Sequence, residues 1–405
     1  MCGVLALIYP KGCSPSSRQL ERIVNRMSHR GPDGMGVRIS GEIGFAHRRL
    51  AIIDVLDATQ PMVLPSGIKV TFNGEIYNFR ELRSTLIGCG HSFKYDSDTE
   101  VLLHAAEQWG PDCLNRLEGM FSLVVDDPIR GITWAARDRM GQKPLFAFDK
   151  RFFADIEHGF VSELKCILPE QNCNRVVSPN AVSRFLAYDF MPDSDGFFVG
   201  VQKVAPGELW VIDRDNLSKK PIRKKWYNLP FGRLDKVNKH QAIEQLDEQL
   251  DIATQRCMVA DVPLGIFLSG GIDSSLITAY ACRHINPNSL KTFSIGFNNP
   301  AFDESIYAQN VANHLGTKHH NLTVDSSDLL NIVPSILSAQ DEPFADPSII
   351  PTAILSRFAR EEVTVALGGD GGDELFLGYP TFVAENILSY FSWVPPEVFS
   401  NLANF

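Results

Sequence analysis

Residues 266–275 read Ile266-Phe267-Leu268-Ser269-Gly270-Gly271-Ile272-Asp273-Ser274-Ser275. Three apolar residues stop abruptly at Ser-Gly-Gly, and a helical pattern begins. The two glycines remove side chains where the backbone turns tightly or meets a ligand. A helix starting there aims its unpaired N–H groups and positive dipole end at the turn, which makes an anion site. A carboxylate beside it, Asp273, suggests a Mg²⁺ ion shared with a phosphate. The stretch is a nucleotide-phosphate loop in character but not a Walker A loop, because Gly-x-x-x-x-Gly-Lys-Ser/Thr is absent from the chain.

Outward from this loop the pattern is a steady alternation. A helix is expected over 243–257, from the spacing of Ile243, Leu246, Leu250, Ala253 and Cys257. Strands follow at 264–268, 291–296, 319–324 and 363–367, separated by helices at 274–284, 304–315, 329–337 and 352–360. Such a rhythm predicts an α/β doubly wound, mostly parallel sheet, whose ligands sit at the carboxyl ends of strands. Three strand ends stand out: Ser269-Gly270-Gly271, Ser294-Ile295-Gly296 and Gly368-Gly369-Asp370-Gly371-Gly372-Asp373-Glu374.

The first half differs. It shows short strands at 2–8, 68–72, 121–126, 131–136, 145–148 and 159–162, with helical spacing at 19–27, 79–86 and 99–109. Asp127-Pro128 marks a hairpin. Strand pairs with helices outside them predict a layered α+β domain. Between the halves, 213–239 carries the basic run Lys219-Lys220-Pro221-Ile222-Arg223-Lys224-Lys225 followed by Pro230 and Gly232, which is read as a connection. The expected division is 2–212, a connection at 213–239, and 240–405.

A length of 405 residues with 44% apolar and 21% charged residues suits two or three globular domains. A net charge of -10 argues against nonspecific nucleic-acid or anionic-membrane binding. The apolar runs are too short to span a bilayer. The first ten residues have neither a basic region nor a cleavage site. The eight cysteines are scattered singly, without a Cys-x-x-Cys pair, so a reducing cytoplasm is the expected setting. Small-molecule substrates are the expected partners, and a homodimer is left open.

Cys2 carries the second chemical signal. Removal of Met1 would give an N-terminal Cys with its own base, an α-amine of pKa about 7.7–8.0. By itself a cysteine at this position is more often a buried edge-strand residue. Other stretches supply what a thiol acting on an amide requires. Arg49, in His47-Arg48-Arg49-Leu50-Ala51-Ile52-Ile53-Asp54, is fit to clamp a carboxylate. Asn73-Gly74-Glu75-Ile76-Tyr77-Asn78 offers an amide side chain and a glycine N–H for an oxyanion. Asp98 is either an ammonium ligand or a helix N-cap.

With Met1-Cys2-Gly3, His29-Arg30-Gly31-Pro32-Asp33, Ser97-Asp98-Thr99-Glu100 and the opening loop, these stretches occur in the order found in the glutamine-dependent asparagine synthetases. The chain resembles that family, class II amidotransferases with an N-terminal nucleophile, over essentially its whole length. The resemblance implies an αββα N-terminal-nucleophile sandwich followed by an ATP-pyrophosphatase domain. It implies that Cys2 attacks the glutamine amide, with Asn73 and the Gly74 N–H holding the oxyanion. Arg49 would bind the α-carboxylate, with Leu50, Ala51, Ile52 and Ile53 nearby, and Glu75 and Asp98 the α-ammonium. Ammonia would travel through an apolar channel to an acyl-adenylate made from ATP. There Leu268 and Ile295 would flank the adenosine, and Ser269, Gly270, Gly271, Ser274 and Ser275 the phosphates. Gly368 and Gly369 would touch the nucleotide, and Asp273 and Asp373 would hold Mg²⁺.

Three departures accompany the resemblance. Gly368-Gly369-Asp370-Gly371 stands where the family usually has Ser-Gly-Glu-Gly, so Asp370 replaces a glutamate that supports adenylate formation. His314, His319 and His320 correspond to no metal set and are read as packing or surface residues. Relatives run on beyond position 405 and carry a later phosphate-binding lysine, so the synthetase half is expected to be C-terminally incomplete. The tail Ser392-Trp393-Val394-Pro395-Pro396 does not look like a domain edge. The expected activity is asparagine formation from aspartate. Amidation of another carboxylate, such as a sugar acid or peptide, and a glutaminase-only or nucleotide-binding chain are the alternatives.

Overall fold

The computed structural model describes residues 1–192, 195–230 and 238–390. Two compact units emerge: one from Met1–Ala242, Val259–Val262 and Leu330–Ala353, the other from Ile243–Met258, Pro263–Leu329 and the described residues from Ile354 onward.

The first unit begins with β1 (Gly3–Ile8) and α1 (Ser17–Asn25), followed by β2 (Gly34–Ser40), β3 (Ile43–Arg49), β4 (Met62–Val63) and β5 (Lys69–Ile76). Helices α2 (Phe79–Gly88) and α3 (Asp98–Trp109) come next, then β6 (Gly119–Asp127), β7 (Ile132–Arg137), β8 (Phe146–Asp149) and β9 (His158–Val161). Helix α4 (Pro179–Tyr188) precedes β10 (Val201–Lys203), β11 (Glu208–Asp213) and β12 (Ile222–Lys225). The strands form two antiparallel six-stranded sheets, ordered β10-β8-β9-β1-β3-β2 and β12-β11-β7-β6-β5-β4.

Strand β1 explains the layering. Every residue of it is buried, and its side chains alternate between two cores, as the period of two requires. Leu5 and Leu7 pack with Leu20, Ile23 and Val24 of α1. Val4, Ala6 and Ile8 face Val124, Ala135 and Ile212 of the second sheet. The far side of that sheet packs Phe72, Leu123 and Val125 against Leu82 and Leu86 of α2 and Leu102 of α3. The order is helix, sheet, sheet, helices.

The connection expected over 213–239 contains a strand. Strand β12 pairs with β11, from Glu208↔Lys225 to Val211↔Ile222, and all four of its residues are exposed. The basic run is therefore a charged sheet edge, a composition that deters further pairing. The expected boundary at 212 thus cuts through a sheet, and 231–237 of the expected connection lie outside the described residues. Residues 259–262 and 330–353, expected in the second half, group with the first unit. The tail at 392–396 also lies outside the described residues.

The second unit carries α5 (Lys239–Cys257), β13 (Leu264–Phe267), α6 (Ile272–His284), β14 (Lys291–Phe297), α7 (Ser305–Leu315) and β15 (Lys318–Val324). Most of α8 (Ser326–Ala339) and the first residues of α9 (Ile349–Arg360) group with the first unit; the rest of α9, β16 (Val365–Leu367), α10 (Gly372–Phe376) and α11 (Pro380–Ser389) complete the second. Its sheet runs β15-β14-β13-β16, and all three pairings are parallel. From β13 the chain winds outward through β14 and β15, then returns to place β16 on the other side of β13. The crevice between the ends of β13 and β16 is the topological switch point, where open α/β sheets bind ligands.

Candidate active sites

The first site is built around the start of β1. Cys2 precedes a strand held by β3 and β9 on its two sides. Arg30 Nε donates to Cys2 O at 2.8 Å, and Arg30 Nη1 pairs with the buried Glu163 at 2.9 Å. The sulfur accepts the Leu50 N–H at 3.3 Å. Burial pushes the Cys2 thiol above its usual range, and the Leu50 N–H opposes that rise only in part. The thiol therefore needs a base before it can attack.

Strand β5 continues through Asn73 and Gly74 to Ile76 instead of ending before them. Alternation places Asn73 and Glu75 on one face. Asn73 Oδ1 accepts the Cys2 N–H at 2.9 Å, which orients the amide. Its Nδ2 is buried with no hydrogen-bond partner among the described residues. The N–H groups of Phe72 and Ile76 leave the edge of β5 that faces away from β6, donating to Gln60 Oε1 at 2.8 Å and Asp98 Oδ2 at 3.1 Å. The Gly74 N–H lies between them on that edge by the same alternation. A side chain at Gly74 is excluded, because an added Cβ would overlap Met120 O and lie 2.7 Å from Phe121 Cα.

One pocket collects Cys2, Arg49, Asn73, Gly74, Glu75 and Asp98, with Leu50, Ile52 and Ile53 on its wall. Ala51 is not on that wall; it is buried and donates its N–H to Asp33 Oδ2 at 2.9 Å. Arg49 ends β3, and its guanidinium is held by the carbonyls of Ile53 at 3.1 Å and Val55 at 3.0 Å. Ser97, not Asp98, caps α3, its hydroxyl accepting the Glu100 N–H at 3.2 Å. Asp98 is thereby released to face the pocket. Burial raises its carboxyl to about 6, against hydrogen bonds from Ile76 and Thr99. Burial and the neighbouring Asp98 raise Glu75 well above the carboxylate range. Two buried acids side by side favour a cationic ligand.

Four wall residues carried no sequence signal as site residues: Gln60, Phe72, Met120 and Lys143. Lys143 follows a tight turn in which Asp138 accepts its N–H. Burial lowers its ammonium, opposed by Glu75.

The second site lies at the switch point of the second unit. Gly270 has φ +84°, and a Cβ there would come within 2.5–2.6 Å of the backbone of Tyr307 and Ala308. Ser269 Oγ meets Ser274 Oγ at 3.0 Å and accepts the Gly271 N–H at 3.2 Å, closing the loop. Gly271 caps α6 without a side-chain bond, and the first intrahelical bond is Ser275 N–H to Gly271 O at 3.1 Å. The N–H groups of Ile272, Asp273 and Ser274 are thus the free ones expected at a helix start. Ser275 Oγ is buried with no partner among the described residues.

The loop after β16 crosses directly over this turn. A Cβ at Gly369 would lie 2.8 Å from Ser274 N, and one at Gly372 would overlap the Asp273 carboxylate. Asp370 folds back over Gly368, its Oδ2 2.6 Å from where a Cβ would stand. Asp373 sits in the first turn of α10. Leu268 is 1% exposed; its side chain packs on Ala308 and Ala312 and its N–H donates to Phe293 O at 2.9 Å. Ile295 is half-buried in β14.

A family model described as a glutamine amidotransferase domain matches residues 1–227, and one described as asparagine synthase matches residues 245–404. A putative asparagine synthetase [glutamine-hydrolyzing] 2 of Methanocaldococcus jannaschii is 33% identical over 404 residues, which cover 94% of this chain and 76% of the relative. The chain belongs to the glutamine-hydrolysing asparagine synthetase family. Asparagine synthetase [glutamine-hydrolyzing] 1 of Bacillus subtilis is 34% identical, with 98% of this chain and 61% of the relative covered. A putative asparagine synthetase of Mycobacterium bovis is 32% identical, with coverages of 98% and 63%. The chain thus spans about three fifths of these two relatives. A solved glutamine phosphoribosylpyrophosphate amidotransferase from B. subtilis aligns at TM-score 0.41 and 15% identity, covering 80% of this chain and 81% of its own, too slight a likeness to carry an argument.

Within this family member, Asp341 and Glu342 belong to the first unit. Asp341 Oδ1 accepts the Lys165 N–H at 2.7 Å, and Glu342 pairs with Lys203 at 3.0 Å. His319 is held by the hydroxyls of Thr292 at 3.0 Å and Ser294 at 3.1 Å, a packing role.

Proposed function

We propose that the chain releases ammonia from glutamine at Cys2 and, with ATP, amidates a carboxylate acceptor, aspartate foremost, to give asparagine, AMP and pyrophosphate. The observation that carries this reading is the pair formed by Cys2 and Asn73: the amide oxygen holds the Cys2 nitrogen, and its NH₂, beside the sulfur's pocket, is buried with no partner among the described residues.

Removal of Met1 makes the Cys2 nitrogen an amine able to take the thiol proton. The thiolate attacks the glutamine Cδ, and the negative charge on the amide oxygen falls to Asn73 Nδ2 and the Gly74 N–H. Collapse of this intermediate expels ammonia, with the proton returned by the Cys2 amine, and leaves a thioester. Water then hydrolyses the thioester to glutamate and restores the thiol. Arg49 faces the substrate's α-carboxylate, and Glu75 with Asp98 its α-ammonium, so glutamine's zwitterion is matched charge for charge.

At the second site the free N–H groups of α6 receive phosphate oxygens. The acceptor carboxylate attacks the α-phosphorus, pyrophosphate leaves, and ammonia displaces AMP from the acyl-adenylate. Asp273 and Asp373 offer only carboxylate oxygens, a donor set that fits Mg²⁺. They are the residues that would hold it, and the ion when bound would neutralise pyrophosphate charge.

Supplying glutamine, Mg-ATP and aspartate tests both halves. Glutamate, AMP and asparagine in equal amounts support the proposal. AMP only with a sugar acid or peptide moves the acceptor. Glutamate without AMP under any acceptor leaves the glutaminase reading alone. Glutamate release undiminished in Cys2→Ala refutes the nucleophile.

A further inference from the structure

A further cluster of metal-ligating side chains, outside the Cys2 pocket, joins α3 to the segment that precedes it. Helix α2 ends at Gly88, and the chain turns back so that the His91 N–H meets Leu86 O at 3.0 Å. This sets the His91 ring against α3, where His104 and Glu107 share a face at i, i+3. His91 Nδ1 stands 3.0 Å from His104 Nδ1. Glu107 Oε2 stands 3.4 Å from the first nitrogen and 3.6 Å from the second.

We propose that His91, His104 and Glu107 form a divalent transition-metal site, with zinc as the fitting ion. Zinc binds histidine nitrogen and carboxylate oxygen at about 2.0–2.2 Å, so ligand atoms at the corners of a tetrahedron stand roughly 3.3–3.6 Å apart. The observed triangle has nearly those edges. The supporting bonds agree. His91 Nε2 donates to Gln108 Oε1 at 2.8 Å, which leaves its Nδ1 with a lone pair facing His104. Such a bond from the far ring nitrogen is the usual support of a metal-ligating histidine. Burial and the facing His91 ring hold His104 below its ordinary range, so it is neutral and able to ligate. Phe93 packs edge-on against His104 with ring centroids 4.6 Å apart, shielding one side.

Without metal the two Nδ1 atoms share one proton. With metal both lone pairs point at the ion, and the His104 ring proton moves to Nε2. The side chains of His91 and His104 are 12% and 9% exposed and that of Glu107 24%, so the fourth corner opens to water on the Glu107 side. The ion would tie the segment ahead of Ser97 to the helix that Ser97 caps.

The test titrates the chelator-treated full chain with zinc chloride by calorimetry, without nucleotide or magnesium. One zinc per chain is expected, with a rise in thermal midpoint. Glu107→Gln, nearly isosteric and partly exposed, is expected to weaken binding at least about tenfold, and His91→Gln likewise, each with the circular dichroism of the parent. Gln108→Leu should weaken it without changing the stoichiometry. No zinc binding by the parent overturns the proposal, and so does a loss smaller than tenfold in folded Glu107→Gln, which would assign any bound zinc to cysteines elsewhere.

Discussion

Replacing Asn73 by Asp separates the two halves of one side chain. The remaining Oδ1 can still accept from the Cys2 nitrogen, as it does at 2.9 Å, so the nucleophile keeps its place. The buried NH₂, which has no partner among the described residues, is exchanged for a second oxygen. The hole then loses one of two donors, an effect of about 10²–10³ in kcat, or about 2.7–4 kcal/mol. Because the substituted oxygen repels the developing oxyanion, the upper end applies. The Gly74 N–H stays, so activity should remain above that of Cys2→Ala. Glutamate release measured at saturating glutamine reads the effect. KM should move far less than kcat, because the zwitterion is held by Arg49, Glu75 and Asp98. A kcat within about threefold of the parent, with the protein folded, would refute the assignment of Asn73 as an oxyanion donor.

Three further outcomes follow from the same geometry. Asp98 takes its proton at about 6, and an ammonium prefers the carboxylate, so KM for glutamine should rise as pH falls below about 6; a KM unchanged across that range, or an Asp98→Asn variant with the parent's profile, contradicts the contact. Gly270→Ala forces a side chain into φ +84° and against the Tyr307 backbone, so acceptor-dependent pyrophosphate exchange should drop at least about tenfold while glutamate release is untouched; equal exchange refutes the loop's role. Arg30→Met removes the buried partner of Glu163 and leaves it His29 at 2.8 Å and Lys165 at 3.1 Å, so the cost should be that of one charged hydrogen bond, about 1.5–3 kcal/mol, read by urea unfolding with tryptophan fluorescence. Burial alone would raise Glu163, but Arg30, Lys165 and His29 together outweigh it and the carboxyl lies below its usual range, so the contribution of these contacts is present at neutral pH and fades as pH falls through that lowered value. A cost under about 1 kcal/mol would show the pair to be dispensable.

The second unit was legible because β13 and β16 are short continuous apolar runs in a regular alternation with helices. The glycines of 268–275 and 368–372 are needed where two backbones cross, and they advertised the switch point. In the first unit the motif residues were visible, yet strands β2 and β3 were not. Strand β2 is largely open to solvent and has no clean alternation, and His47-Arg48-Arg49 at the end of β3 resembles a polar turn. Asn73-Gly74 looked like a strand terminator because that dipeptide favours turns. Its partner β6 keeps it extended, and a glycine is needed there for close approach to Met120 and Phe121. Lys143 left no trace as a site residue. It enters the pocket from a loop that Asp138 organises through the N–H groups of Met140, Gln142 and Lys143, and a pattern of loop hydrogen bonds has no period to detect. The basic run at 219–225 was misplaced for a related reason: an edge strand defended by lysines has the composition of a linker.

The central position of β13 has a consequence for how the chain is made. One side of this strand is completed by β14 soon after it, but the other waits for β16, since Leu264 pairs with Val365. At about 5–20 residues per second of synthesis, the open edge of β13 stays bare for roughly 5–20 s after β13 itself has been made. Throughout that time an apolar strand with unpaired backbone groups is on offer to any neighbouring chain. Nascent chains stopped between 297 and 365 should therefore be the most aggregation-prone and the most dependent on chaperones. Completion of the nucleotide loop and protection of that edge arrive with the same strand, β16.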